Sequence, residues 1–389
     1  MKKWIWILVA VCLIAVVGIA AFGAKDGSFQ AGEASAVTLG PAAGDRFTQL
    51  YATHQPGETV MKVGGEEIDW NTYIGTLTSL IAQQESQMSY YGMGMDWGMT
   101  YGDEGLTYAD LVMDQTENTL KQLVAVEKLA AENGGGLTEE NKAEMAANIA
   151  QILQYNFGEG ATEAELDAYL AERYMSRAFY DRMIAQNYLL DNTFSAMYGE
   201  NGEKISDEEA VAYLAENNYV YASHILFLNT DESGAPLSEE AKEEKLETAQ
   251  QILDELNAIQ DPKELVARFA ELKQEYCEDG GKVSYPEGYL FQAGMGTMVP
   301  AFEEGILSVG EYEVAELVES EYGWHIILRL PLDPDAVAFD PYGSGATARV
   351  HAAEAMFNER LNEMAAEQEV SYAEGFTRPD LLSCLLADK

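Results

Sequence analysis

Two short runs constrain this chain more than anything else in it: YASHILFLNT at 221–230 and YGWHIILRL at 322–330. Each sets a histidine directly before β-forming residues, and the chain has only four histidines. The runs Ala222–Leu228 and Trp324–Leu330 have the period-two texture of strands, and they bracket helices and glycine-rich turns. Ser238 opens one of those helices, with Leu246, Ala249, Leu253 and Leu256 as its buried stripe. Asp261, Pro262 and Glu264 open the next as cap, first helical residue and capping-box partner, followed by the stripe Leu265, Phe269 and Leu272. Strands enclosing helices in this way predict an α+β domain.

The region before Tyr219 reads as mostly helical. Thr59–Val63, Gly64-Gly65 and Glu66–Ile68 form a hairpin signal that leads into a helix over 71–84. Thr162 with Glu165 and Ser206 with Glu209 have capping-box spacing, and Thr138 is followed at once by Glu139 and Glu140. Leu111, Leu120, Leu123, Val124 and Leu129 share one helical face; Leu166, Tyr169, Leu170 and Tyr174 share another. Residues 86–105 interleave Met88, Met93, Met95 and Met99 with Tyr90, Tyr91, Trp97 and Tyr101. That mixture suits a loop packed on its own helices, an adaptable contact for apolar peptide, or a thioether site for Cu(I). After Asp333-Pro334 comes a link of low hydrophobicity, then a helix over 347–368 with Val350, Met356, Phe357, Leu361 and Met364, and a strand-like close over 369–376.

At the N-terminus, Lys2 and Lys3 precede an uncharged apolar run, Trp4–Phe22, long enough to span a bilayer at about 1.5 Å per residue. The two lysines keep the short end in the cytoplasm and place the rest of the chain outside the membrane. Cleavage near Gly23 or Ala24 would make the run a signal peptide instead. Val11 before Cys12, and the apolar residues after it, argue against a lipid-modified cysteine. Residues 25–57, rich in glycine, alanine and serine, read as a flexible tether. Outside the apolar run only Cys277 and Cys384 remain, so no disulfide framework staples the exported part. A free thiol at Cys277 is expected, with a bridge to Cys384 left open. The 66 acidic against 23 basic residues give a formal charge of −43, which excludes nucleic acid or anionic lipid as electrostatic partners.

In chain order, Ala222-Ser223-His224-Ile225-Leu226, Cys277 at a helix end, Gly280-Gly281, Gly288–Phe291, Met298-Val299-Pro300-Ala301-Phe302-Glu303 and Tyr322-Gly323-Trp324-His325-Ile326-Ile327 resemble a parvulin-type peptidyl-prolyl isomerase domain. The preceding region, with its opening hairpin and Ser206–Glu209 leading to Glu216-Asn217-Asn218, resembles the N-terminal chaperone domain of PrsA- and SurA-type extracytoplasmic foldases. The resemblance implies an α+β isomerase domain with a small mixed or antiparallel sheet and flanking helices, inserted in a helical chaperone domain. The expected boundaries are 1–24 anchor or signal peptide, 25–57 tether, 58–217 chaperone domain, 218–333 isomerase domain and 334–389 a returning helix and strand.

The same resemblance assigns roles. His224 and His325 would sit side by side as a catalytic pair, and Cys277 would face the substrate carbonyl. Met298, Phe302, Phe291 and Tyr322 would bind substrate around the proline ring. No cofactor is implied, because rotation about an X-Pro bond breaks no bond. The partners would be unfolded or partly folded exported proteins, with the membrane reached through the N-terminal helix and homodimerisation left open. Two departures stand out: Gln292–Thr297 is longer than the family pattern, and Glu287-Gly288-Tyr289-Leu290 replaces its Gly-Asp-Leu-Gly run. Residues 229–244 are acidic and carry no arginine, which argues against phosphoserine-proline specificity. The alternative function is a holdase whose isomerase-like domain only binds peptide. A hydrolase built on Cys277 and His224 lacks an oxyanion-loop signature. Metal-hydrolase spacings such as His-x-x-x-His are absent.

Overall fold

A computed structural model of the chain describes residues 46–102, 105–339 and 345–386. The apolar run 4–22, Cys12 and the first part of the expected tether lie outside the described residues. The chain divides into two compact units, one drawing on Met1–Met197 and Phe357–Lys389, the other formed by Tyr198–Met356.

The first unit begins earlier than the tether reading anticipates. A short helix, α1 (Thr48–Tyr51), turns Leu50 and Tyr51 inward beside Phe47. Trp70 Nε1 donates to the Tyr51 carbonyl at 2.9 Å. The hairpin follows, β1 (Thr59–Val63) and β2 (Glu66–Asp69) paired antiparallel. Gly64 and Gly65 turn it with φ of +56° and +89°, values that a residue with a Cβ adopts at a cost. Asp69 caps α2 (Trp70–Tyr90), which runs past the expected end near residue 84. Beyond it, β3 (Thr100–Tyr101) and β4 (Leu106–Thr107) make a small hairpin. Thr107 and Asp110 then form a capping box on α3 (Tyr108–Asn133). Thr138, Thr162 and Ser206 likewise carry capping boxes, on α4 (Glu139–Phe157), α5 (Glu163–Ala171) and α7 (Asp207–Glu216), with α6 (Arg177–Tyr198) between the last two and α7 already within the second unit.

The second unit is built on a four-stranded antiparallel sheet in the order β6-β5-β8-β7, from β5 (Tyr219–Leu228), β6 (Tyr289–Gln292), β7 (Val318–Ser320) and β8 (Gly323–Leu330). The two histidine-bearing runs are its central pair. Helices α8 (Glu239–Asn257) and α9 (Pro262–Tyr276) cover one face, where Ala249, Ile252, Leu253, Leu265 and Phe269 pack on Ile225, Phe227, Ile326 and Leu328. Each large apolar side chain so buried contributes roughly 1.5–3 kcal/mol. Leu246, expected in that stripe, is instead 39% exposed, and Ile252 takes a buried place. Helix α10 (Pro300–Leu307) covers the other face through Phe302 and Ile306, against Val220, Ala222 and Ile327. The link after Pro334 packs on this unit: Ala336 and Ala338 are buried, and Ala338 bridges Leu290 of β6 in parallel.

Helix α11 (Ala348–Ala366) then leads to β9 (Val370–Tyr372), which pairs with β1, and to α12 (Leu381–Leu386). Within the first unit the sheet order is therefore β2-β1-β9, so strands from opposite ends of the sequence share one sheet. No helix among the described residues is long and apolar enough to cross a membrane.

Candidate active site

The register of the central strands sets the site. His224 lies opposite Ile327, and His325 opposite Leu226. Because side chains alternate across a strand, the two imidazoles point to the same face, the one that α10 covers. Their ring centroids are 5.5 Å apart and nearly perpendicular. Phe302 sits edge-on to both, 5.2 Å from His224 and 5.7 Å from His325. Met298, half-buried, packs on the same cluster.

A carboxylate completes the arrangement. Helix α9 ends at Cys277, and Asp279 caps the following 3-10 turn, Gly280–Val283, by accepting from Gly281 N–H at 2.9 Å. Its second oxygen accepts from the Tyr289 hydroxyl at 2.6 Å and lies 3.2 Å from His224 Nε2. The latter is ion-pair distance, but His224 N–H is not aimed along the contact, so we treat it as electrostatic rather than as a hydrogen bond. The Tyr289 ring also stacks on His224, with centroids 5.4 Å apart and planes 17° from parallel. Gly288, just before Tyr289, passes so close to β5 that a Cβ there would stand 2.5 Å from the Ala222 carbonyl oxygen. The altered glycine segment thus keeps a glycine where close approach requires one.

Protonation follows from these contacts. Burial opposes ionisation of Asp279, but His224, Tyr289 and the Gly281 amide outweigh it and hold the carboxyl well below the usual range. Burial likewise opposes a charged His224, and Asp279 and Cys277 outweigh it, so its pKa is raised. His325, buried and facing the charge on His224, is pushed down to about 4. Ser320 Oγ, 2.7 Å from His325 Nε2, supplies a local partner, and it also accepts from Tyr322 N–H at 3.1 Å.

The histidines should therefore push stability in opposite directions with pH. The folded state protonates His325 only near pH 4, against an ordinary value of 6.5. Its contribution to stability is full above 6.5 and is lost as pH falls toward 4. His224, raised, contributes below its ordinary value and loses that contribution as pH rises through its folded pKa. Denaturant unfolding followed from pH 4 to 8 should show His325→Gln flattening the acid limb relative to wild type. Parallel limbs in the two proteins would contradict the assignment.

The sequence-derived site residues fall in four places. His224, His325, Phe302 and Met298 are brought together. Phe291 is 1% exposed and backs Phe302 at 6.1 Å, so it forms support rather than an open wall. Tyr322 is 53% exposed at the β7–β8 turn, tied to the site through its amide. Cys277 is 3% exposed and belongs to the cluster on the α8 and α9 face; its Sγ accepts from Leu226 N–H and sits against the His224 carbonyl. A thiol so enclosed does not face open solvent. Sequence reasoning missed Asp279 and Tyr289, although an aspartate directly before Gly280-Gly281 at a helix end was the available signal. Among the described residues, no group of three or more His, Cys, Asp or Glu side chains is placed to hold a metal, and no disulfide is formed.

The two histidines on the central strands, the half-buried carboxylate beside them and the apolar helix start above them all lie within one segment that matches a known family. Residues 207–329 match the family described as PPIC-type PPIASE domain. Over 145 residues the chain is 38% identical to the foldase protein PrsA of Halalkalibacterium halodurans, an alignment covering 36% of each protein. It is 22% identical to the foldase protein PrsA of Clostridium perfringens over 286 residues, or 69% of this chain and 71% of that one. It is also 37% identical to the chaperone SurA of Chromobacterium violaceum over 62 residues, 16% of this chain and 14% of that one. A crystal structure of PrsA from Bacillus cereus aligns over 75% of this chain and 97% of its own at 19% identity, with a TM-score of 0.26. The first two relatives named by order of similarity, from Halalkalibacterium and Chromobacterium, are thus matched over well under two thirds of their length. The chain carries a PPIC-type isomerase domain over 207–329 and is similar, over parts of its length, to PrsA and SurA proteins.

Proposed function

We propose that the chain is an extracytoplasmic foldase that catalyses cis/trans isomerisation of X-Pro bonds in unfolded or partly folded exported polypeptides. The observation that carries this reading is the pair of buried histidines, His224 and His325, with the half-buried Asp279, set directly beside Phe302 and Met298 within the segment matched to the isomerase family. A prolyl bond resists rotation by nearly 20 kcal/mol through amide resonance alone. Burying the proline ring against Met298, with Phe302 behind it, strips water from the adjoining carbonyl. That disfavours the charge-separated resonance form and lowers the barrier. The fixed negative charge of Asp279 acts in the same sense, because the planar amide places negative charge on its oxygen. His224 and His325 hold that charge in place, one ring charged and the other neutral. Cys277 packs behind His224 and lowers the cost of its proton.

The first unit supplies a second capability. Tyr90, Tyr91, Met93, Met99 and Tyr101 are all exposed on one stretch from the end of α2 through β3. Apolar groups presented in this way suit transient contact with unfolded chains, and this supports a sheltering role beside catalysis. The apolar run 4–22, as an uncleaved helix, would hold the protein on the outer side of the membrane.

The test is exchange spectroscopy on Ala-Pro and Phe-Pro peptides with the full chain, since the uncatalysed step takes tens of seconds. Met298→Ala should reduce catalysis by roughly 10-fold, mostly through KM, because it removes contact made alike in ground and transition states. A folded wild-type protein that leaves the exchange rate unchanged while suppressing aggregation would make the holdase reading the correct one.

A further inference from the structure

Tyr289 is the joint of the site, since it both donates to Asp279 and stacks on His224. A tyrosine ring turns about two bonds: rotation about Cα–Cβ would carry the hydroxyl away from the carboxylate, and rotation about Cβ–Cγ, on whose axis the hydroxyl lies, would break the stack on His224. What holds it comes partly from outside the segment matched to the isomerase family. The Phe339 ring lies 5.2 Å from Tyr289, almost perpendicular to it, and 5.2 Å from Tyr285, which in turn lies 5.1 Å from Tyr289. Phe339 is itself tied down: its N–H donates to the Leu290 carbonyl at 2.7 Å, in β6 next to Tyr289, and Ala338 N–H donates to Ala346. On another side Lys273 reaches from α9, buried, and donates to the Pro286 carbonyl at 2.9 Å, holding the turn that leads into Tyr289.

We propose that Phe339 is a positioning residue of the isomerase site, closing an aromatic cage that fixes Tyr289 and, through its hydroxyl, the Asp279 carboxylate beside His224. This rests on the isomerase reading of the site. The link after the matched segment is then part of the working domain rather than a spacer, and it acts on turnover without touching substrate.

In the full chain, Phe339→Ala should lower kcat roughly 10-fold with KM little changed, since misplacing a fixed group weakens transition-state stabilisation rather than binding. Phe339→Tyr, which keeps the ring, should restore it. A second readout is the titration of His224 by NMR: the Ala variant should shift its pKa downward, because Asp279 is no longer held against it. Tyr289, Asp279, Cys277 and His325 are the groups facing that ring, and they are unchanged in the variant. Phe339→Leu gives the same comparison with most of the bulk retained, should the Ala variant fail to fold. A folded variant with wild-type kcat and an unmoved His224 titration would overturn the proposal. The titration also decides the matter if the wild-type protein proves inactive on prolyl peptides, because it reports the Tyr289 and Asp279 geometry independently of catalysis.

Discussion

Exchanging Asp279 for asparagine is expected to slow prolyl isomerisation by the full chain about 100-fold while leaving the fold intact. Asparagine is nearly isosteric: its one side-chain oxygen can still accept from the Gly281 amide, a contact that Asp279 makes at 2.9 Å, while its NH2 would donate to the Tyr289 oxygen where the carboxylate accepts at 2.6 Å. The fixed negative charge is lost, and the Tyr289 bond must reverse its direction. His224 would then have burial acting against its proton with its main counter-charge gone, so its raised pKa should drop below the ordinary histidine value. The relief should be felt next door. His325 is pushed down partly by the charge on His224, and its pKa should move up from about 4. Histidine NMR titration of wild type and variant, run beside the exchange assay, checks both halves. Near-wild-type turnover in a variant whose histidines have shifted would show that the carboxylate organises the pair without contributing to the barrier. Unshifted histidines would mean that Asp279 is not the charge they respond to.

Much of the second unit was legible because its information is local. His224 and His325 each precede a period-two apolar run, and the antiparallel register does the rest by placing both rings on one face. Asp261-Pro262 and Ser238 mark helix starts through hydrogen bonds made within a few residues, and the structure has those bonds. Asp279 was not legible in the same way. It is one of 66 acidic residues, and what distinguishes it is the meeting of a helix end, a 3-10 turn and the Tyr289 hydroxyl from a separate strand. Cys277 drew attention as the rarer residue, yet its place at the end of α9 turns its thiol toward the β5 backbone. Composition misled in two places. Averaging over 25–57 hides Phe47, Leu50 and Tyr51 among small residues, and these three are buried. The link after Pro334 looks featureless for the same reason, although Ala336, Ala338 and Phe339 pack on the sheet.

The largest stability effect should come from Phe302. Its ring is 2% exposed and touches His224, His325 and Phe291. Truncation to alanine should therefore destabilise the second unit by about 3–5 kcal/mol, combining lost burial with an unfilled cavity. Phe302→Leu refills most of that volume and should cost less than about 1.5 kcal/mol. The two variants separate packing from catalysis. If Phe302 served only the core, activity of the leucine variant would recover along with its stability. If the ring also backs the proline-binding surface beneath Met298 and keeps water from the histidines, the leucine variant should remain roughly 10-fold impaired although it is folded. Urea unfolding gives the first quantity and peptide exchange the second. Full recovery of turnover with stability would reduce Phe302 to a packing residue and leave Met298 as the group that meets the proline ring. A folded, stable and slow leucine variant would place the aromatic ring in the working surface of the site.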